Sequence, residues 1–248
     1  MTKLSVNLNK IALLRNQRDI GIPDVTESAR TVIKAGAYGV TVHPRPDERH
    51  IRYSDAYELA GLVKSEYENI EYNIEGNPFT GRYMDIMRDI RPDQATLVPD
   101  EPGANTSDHG WNMNRANMKR LLPVINELND LGIRVSLFMD PVPESIKAAK
   151  ELGADRIELY TEPYAKAYRE KDNVSKMLDR YTRAARTGLD IGLGVNAGHD
   201  LNLENLGLFC ATVPGLLEVS IGHALIADAL EMGLSKAVRE YLKILSQK

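Results

Sequence analysis

Four times in this chain a helical pattern ends, a glycine follows, and after a short gap a β-branched or aliphatic run begins. The stretches are "KAGAYGVTVH", "NDLGIRVSLF", "KELGADRIELY" and, more loosely, "RTGLDIGLGVN". Glycine just past a helix takes the left-handed conformation that closes it. A strand so close behind leaves only the short αβ connection of parallel α/β folds. This recurrence limits the fold more than any other feature, because parallel strands need crossover helices and few layer arrangements accommodate them.

Extending the pattern gives eight candidate strands: LSVNLN (4–9), GVTVH (39–43), EYNIE (71–75), ATLVP (95–99), RVSLFM (134–139), RIELYT (156–161), IGLGVNA (191–197) and LEVSIG (217–222). Several read as near-continuous apolar runs, as expected of strands covered on both faces. Helical patterns lie between most of them. One opens at Asp24, with Glu27 three residues on as in a capping box, and its inner stripe is Val25, Ala29, Val32 and Ile33. A longer one, 112–132, contains Pro123, which predicts a kink or a break. Eight βα units in 248 residues suit a (β/α)8 TIM barrel, which typically takes about 250 residues. The rival is a doubly wound open sheet, which usually has a glycine-rich turn after its first strand. Here that turn is "NKIALLRNQR", without glycine. No linker-like stretch interrupts the chain, so residues 1–248 read as one barrel domain.

Composition narrows the partners. The net charge is −4, so no global basic surface points to nucleic acid. No apolar run is long enough to span a bilayer, and "MTKLSVNLNK" has no apolar signal region. Cys210 is the single cysteine; an internal disulfide is excluded, and the expected location is a reducing cytoplasm. Its apolar surroundings read as core.

A barrel carries its active site at the C-terminal ends of its strands. Those ends gather Asn7, Asn9 and Lys10, then Arg15 and Arg18; His43, Arg45 and His50; Glu75; Asp100, with Thr106 and His109 in the loop beyond; Asp140; Glu158, Tyr160 and Glu162; Asn196, Gly198, His199 and Asp200; and Gly222 with His223. All five histidines fall in these segments. The loop "TVHPRPDERHI" therefore reads as one wall of a site. Arg49 beside Glu48 reads as surface charge and His109 as an exposed loop residue. Arg18 and Arg45 suit an anionic substrate, since guanidinium forks match phosphate. Glu158, in an apolar strand, is either an ion-paired interior group or catalytic. "VNAGHDLN" and "SIGHALI" each end a strand with Gly-His and start a helix, whose free N–H groups receive anions; the loops after strands seven and eight are the usual phosphate site of such barrels. No spacing calls for a metal. Lys10 is the one lysine placed for Schiff-base chemistry.

These stretches together resemble the pyridoxine 5'-phosphate synthase family. The resemblance is carried in order by "VNLNKIALLRNQR", "AGAYGVTVHPRPDERHI", "NIE", "LVPD", "VSLFMD", "VNAGHDLN" and "IGHALI". It implies a TIM barrel with additional helices, a homo-octamer, and no cofactor or metal. It implies condensation of 3-amino-2-oxopropyl phosphate with 1-deoxy-D-xylulose 5-phosphate, giving pyridoxine 5'-phosphate, phosphate and water. Residue by residue, His43 and Glu75 match proton acceptors and His199 a proton donor. Asn7, Asp200 and the Gly222-His223 backbone match contacts to the amino-ketone phosphate. Arg18, Arg45, His50 and Thr106 match contacts to the deoxyxylulose phosphate.

There are two departures from the familiar pattern. Asn9-Lys10 stands where Asp-His is usual, at a contact to the deoxyxylulose substrate. Asp200 stands where glycine is frequent, and is expected to cap the helix of "LNLENLGLF" with its side chain. Two other readings stay open: a different phosphate-binding barrel, an aldolase or isomerase using Lys10, and a non-catalytic barrel that only binds a phosphorylated metabolite.

Overall fold

The computed structural model describes residues 1–101, 103 and 106–247. The first half runs β1 (Lys3–Asn7), α1 (Asn9–Arg15), α2 (Val25–Lys34), β2 (Gly39–Val42), α3 (Tyr53–Glu66), β3 (Glu71–Gly76), α4 (Tyr83–Ile90) and β4 (Gln94–Leu97). The middle follows with α5 (Arg115–Asp130), β5 (Arg134–Met139), α6 (Pro143–Glu151), β6 (Arg156–Tyr160), α7 (Glu162–Glu170) and α8 (Val174–Asp190). The chain closes with β7 (Gly194–His199), α9 (Leu206–Thr212), β8 (Leu216–Ile221), α10 (His223–Met232) and α11 (Leu234–Ser246). The eight strands form a closed parallel barrel in sequence order, and β8 returns to pair with β1.

The recurring glycines do what the pattern requires. Gly36, Gly132, Gly153 and Gly192 all have positive φ, between 74° and 109°, where a side chain would be strained. In the fourth repeat this shifts the strand. Ile191 and Gly192 belong to the turn that ends α8, so β7 spans 194–199, not 191–197. The first strand is also shorter than expected: Asn9 and Lys10 form the first turn of α1. The fourth stops at Leu97, before Val98 and Pro99. Pro123 does not break α5, which continues through it from the Asn114 cap. Asp24 caps α2 by accepting the Glu27 N–H at 2.8 Å, and the expected stripe is buried. The Glu27 carboxylate, however, turns to Arg30 at 2.5 Å.

The strands are buried on both faces, but the two faces differ in kind. Each strand places a buried polar residue between apolar neighbours: Ser5, Thr41, Asn73, Thr96, Ser136, Glu158, Asn196 and Ser220. Four of them form a chain inside the barrel: Ser5 Oγ to Thr41 Oγ1 (2.7 Å), Asn73 Nδ2 to Thr41 (3.2 Å), and Thr96 Oγ1 to Asn73 Oδ1 (3.0 Å). The flanking residues, such as Leu4, Val6, Val40 and Val42, pack outward into one large apolar cluster with the helices. The apolar core is thus a shell around the barrel, and the strand ends project side chains from a rigid rim.

Candidate active site

At the C-terminal rim lies a cavity of about 370 Å³, within the size range of small-molecule sites. It is lined by Asn7, Asn9, Lys10, His43, Arg45, His50, Glu75, Thr106, His199, Asp200, Gly222 and His223, which are twelve of the thirteen residues singled out from sequence. Arg18 is the exception; it is exposed beyond the end of α1 and outside the lining. His109 also stays outside, exposed and bonded to Asp108 at 2.5 Å.

His43 leaves β2 with its backbone N–H on Asn9 Oδ1 (2.9 Å). Asn9 thereby anchors the loop at its first residue, a task any side-chain carbonyl or carboxylate oxygen there performs. The His43 Nδ1 stands 3.9 Å from Glu75 Oε2. Burial, and then the positive charge of Arg45 and the histidine and arginine beyond it, hold the His43 pKa well below its ordinary value. The ring is neutral at pH 7 and able to accept a proton. Glu75 ends β3 and accepts from Asn7 Nδ2 at 3.3 Å. Burial pushes its pKa up to about 7, reinforced by Asp100 and opposed by His199 and Arg45. A carboxyl poised there can both take and return a proton near neutral pH.

His199 ends β7 with φ +91°, an unusual conformation for a non-glycine residue. Its Nδ1 bonds to Asp200 Oδ2, and its Nε2 lies 2.6 Å from Thr106 Oγ1. The Tyr160 ring supports it edge-on at 5.5 Å. Asp200 therefore does not cap the following helix, contrary to expectation. The helix starts only at Leu206, with Asn205 at its cap position and no side-chain cap bond; Asn202 instead closes the turn before it, accepting the Glu204 and Asn205 N–H groups at 3.0 Å each, and Asp200 turns back to the histidine. An acid at Nδ1 fixes the tautomer and orients the ring, leaving Nε2 toward the cavity.

Arg45 is buried and ion-paired with Asp100, which also accepts from Ser107 Oγ at 2.8 Å. His50 is buried on the same side, edge-on to His43 at 6.1 Å. Across the cavity, Gly222 and His223 begin α10, and Gly222 offers no side-chain cap. A Cβ on Gly222 would meet Asn7 at 3.1 Å, so this glycine lets β1 and β8 approach.

Two polar residues of the cavity wall complete the site, Ser220, which the sequence did not single out, and Glu158, which it left open. Ser220 lines the wall two positions before Gly222, and its buried Oγ has no hydrogen-bond partner among the described residues. It is a donor ready for a ligand oxygen. Glu158 also lines the cavity, packed over Gly198. Burial, with Glu75 and Glu218 nearby, raises its pKa well above the ordinary range. Strand alternation was the available signal for both, since each points inward. Among the described residues no group of three or more His, Cys, Asp or Glu side chains converges as a metal site would. No described helix is long and apolar enough to cross a membrane.

Comparison with known proteins agrees over the whole chain. The family model described as pyridoxal phosphate biosynthesis protein PdxJ matches residues 4–247. The pyridoxine 5'-phosphate synthase of Albidiferax ferrireducens is 52% identical, with 99% of this chain and 98% of the relative aligned. That of Flavobacterium johnsoniae is also 52% identical, over 98% and 99% of the two chains. Among solved structures, tryptophan synthase from M. tuberculosis superposes with a TM-score of 0.64 at 10% identity, covering 98% of this chain and 92% of that one. At that identity the likeness concerns the barrel alone.

Proposed function

This chain belongs to the PdxJ family of pyridoxal phosphate biosynthesis proteins, and from that premise we propose how its cavity works. The protein is an enzyme, a pyridoxine 5'-phosphate synthase, condensing 3-amino-2-oxopropyl phosphate with 1-deoxy-D-xylulose 5-phosphate to give pyridoxine 5'-phosphate, phosphate and water. Imine formation, enamine formation, phosphate elimination and ring closure each move protons, so several acid–base groups must face one space. The observation that carries the reading is the pair His43 and Glu75: a neutral imidazole and a carboxyl with pKa about 7, 3.9 Å apart on the cavity wall.

In this reading His43 and Glu75 accept protons and His199, backed by Asp200, donates. The amino-ketone phosphate lies at the start of α10, on the Gly222 and His223 backbone, with Asn7, the Asp200 backbone and Ser220 beside it. Arg45, His50 and Thr106 face the deoxyxylulose phosphate, and Asn9-Lys10 its remaining oxygens. Helix N–H groups on one side and basic side chains on the other give each phosphate its own receptor.

One barrel domain spans residues 1–248 and works in the cytoplasm, a location suited to a single, half-buried free thiol. The assembly is a homo-octamer. Large apolar side chains left outside, Leu14 (52% exposed), Ile20 (53%), Ile22 (63%) and Leu230 (77%), are surface for it to cover. Light scattering coupled to size exclusion tests the assembly. For the chemistry, purified protein is mixed with both substrates while product fluorescence and phosphate release are followed together. Both rise in the wild type, and His43→Ala abolishes both while either substrate still binds. Binding without turnover in the wild type would leave a non-catalytic binder or the Lys10 aldolase.

A further inference from the structure

We propose that Arg15, Asn16 and Asp55 form a clamp that sets the His50 side chain, and through it the affinity for the deoxyxylulose phosphate. The proposal rests on the assignment of His50 to that substrate made above. Its basis is a run of three consecutive carbonyls converging on one side chain. Asn16 Nδ2 donates to the carbonyl oxygens of Glu48 (3.3 Å), Arg49 (3.1 Å) and His50 (2.8 Å). Arg15 Nη2 adds a second donor to the His50 carbonyl at 3.2 Å.

The clamp is itself held. Arg15 Nε and Nη2 grip Asn16 Oδ1 at 3.1 and 2.9 Å, which fixes the way the amide faces. The Arg15 guanidinium is buried and forked onto Asp55 at 2.5 and 2.8 Å. Asp55 Oδ2 also accepts the Arg52 N–H at 2.7 Å, tying in the start of α3. A paired, forked arginine is a rigid donor platform. The end of α1 thus holds the 48–50 backbone from below.

The platform acts on the ring through the next bond. The Ile51 N–H donates to His50 Nδ1 at 2.9 Å. That bond makes Nδ1 the acceptor, puts the proton on Nε2 and fixes the ring torsion. Burial, then Arg45, Lys10 and Arg49, bring the His50 pKa down to about 4, so the ring stays neutral. What remains for a ligand is a single N–H of fixed direction on a wall of the cavity. Its aim depends on where the 48–50 carbonyls are pinned, and Asn16 pins all three.

The test is steady-state kinetics on the full-length protein, each substrate varied in turn, with Tm measured alongside. Asn16→Asp keeps the shape and the acceptor for Arg15 but turns an oxygen toward the three carbonyls. It raises KM for deoxyxylulose phosphate by roughly tenfold or more, the cost of a misplaced contact, while kcat and the other KM stay within about twofold. His50→Ala raises the same KM, and the double variant is no worse than His50→Ala alone, since both act on one contact. A general loss of structure would raise both constants and add to the His50 effect; that outcome, or an unchanged KM in Asn16→Asp, overturns the clamp. If Asn16→Asp fails to fold, Arg15→Lys, which cannot fork, enters the same cycle. If His50→Ala leaves the deoxyxylulose KM unaltered, the assignment of His50 has failed, and the clamp's link to affinity falls with it.

Discussion

Glu75 is kept at the site at a cost to the fold, and replacing it by glutamine exposes that cost. Burial pushes its pKa up to about 7 from the ordinary 4.5. Between those values the folded protein retains a proton that the unfolded chain has released, so stability falls as pH rises through this window. Below pH 4.5 the penalty is absent, and above pH 7 it is fully present. At about 1.4 kcal/mol per pH unit it reaches at most about 3 kcal/mol. Glutamine never ionises, yet its carbonyl still accepts from Asn7. Glu75→Gln is therefore expected to lose turnover and gain stability at pH 8. At roughly 2–4 °C per kcal/mol for a chain of this size, Tm rises by up to about 6–12 °C. At pH 5 the two proteins melt nearly together. Scanning calorimetry at one protein concentration, which holds any assembly equilibrium fixed, measures both differences. A variant that melts at or below the wild type at pH 8, or one whose advantage is the same at both pH values, refutes the reasoning.

Further expectations concern the rest of the site. Asp200→Asn replaces the carboxylate that His199 Nδ1 bonds with an amide; the ring loses the partner that fixes its tautomer and orientation, and kcat falls by roughly tenfold or more while both KM values stay within about threefold. An unchanged kcat in steady-state assays contradicts the positioning role of Asp200. Gly198→Ala places a Cβ 2.3 Å from Glu158 Oε1 and 2.8 Å from the Ser220 carbonyl, and overpacking of this kind lowers stability by about 1–3 kcal/mol, read as a lower denaturant midpoint. Lys10→Ala retains turnover within about tenfold, and borohydride traps no adduct on wild-type Lys10; an adduct would favour the Schiff-base reading.

The barrel was legible because a local signal repeats. A left-handed glycine, a short gap and a β-branched run are written within ten residues, and eight parallel strands then bring their C-terminal ends together without further information. That is why the sequence alone groups His43, Glu75 and His199 at one end of the barrel. What failed depended on backbone direction at single positions. The two glycines of "IGLG" left the start of β7 ambiguous, and only the turn at Gly192 settles it. Asp200 looked like a helix cap because it precedes a helical run; the φ of +91° at His199 and the asparagines at 202 and 205 redirect it. Arg18 follows the end of α1 at Arg15 and is exposed, outside the lining of this cavity. The Arg15–Asp55 pair was beyond reach, since its members are 40 residues apart and meet only once the barrel has closed.

The polar layer inside the barrel also bears on how such a protein can change. Hydrophobic stabilisation is concentrated in the shell between strands and helices, while the interior hydrogen bonds linking Ser5, Thr41, Asn73 and Thr96 are of modest net value, about 0.5–1.5 kcal/mol each. Fold and interior are therefore separable to an unusual degree. A lineage, or an engineer, can rewrite the inward-facing alphabet of Ser, Thr, Asn and Glu in matched groups, keeping each buried polar atom partnered, while the outward-facing Val, Ile and Leu go on specifying the barrel. The floor beneath the cavity can acquire a new pattern of donors and acceptors without the scaffold being reinvented.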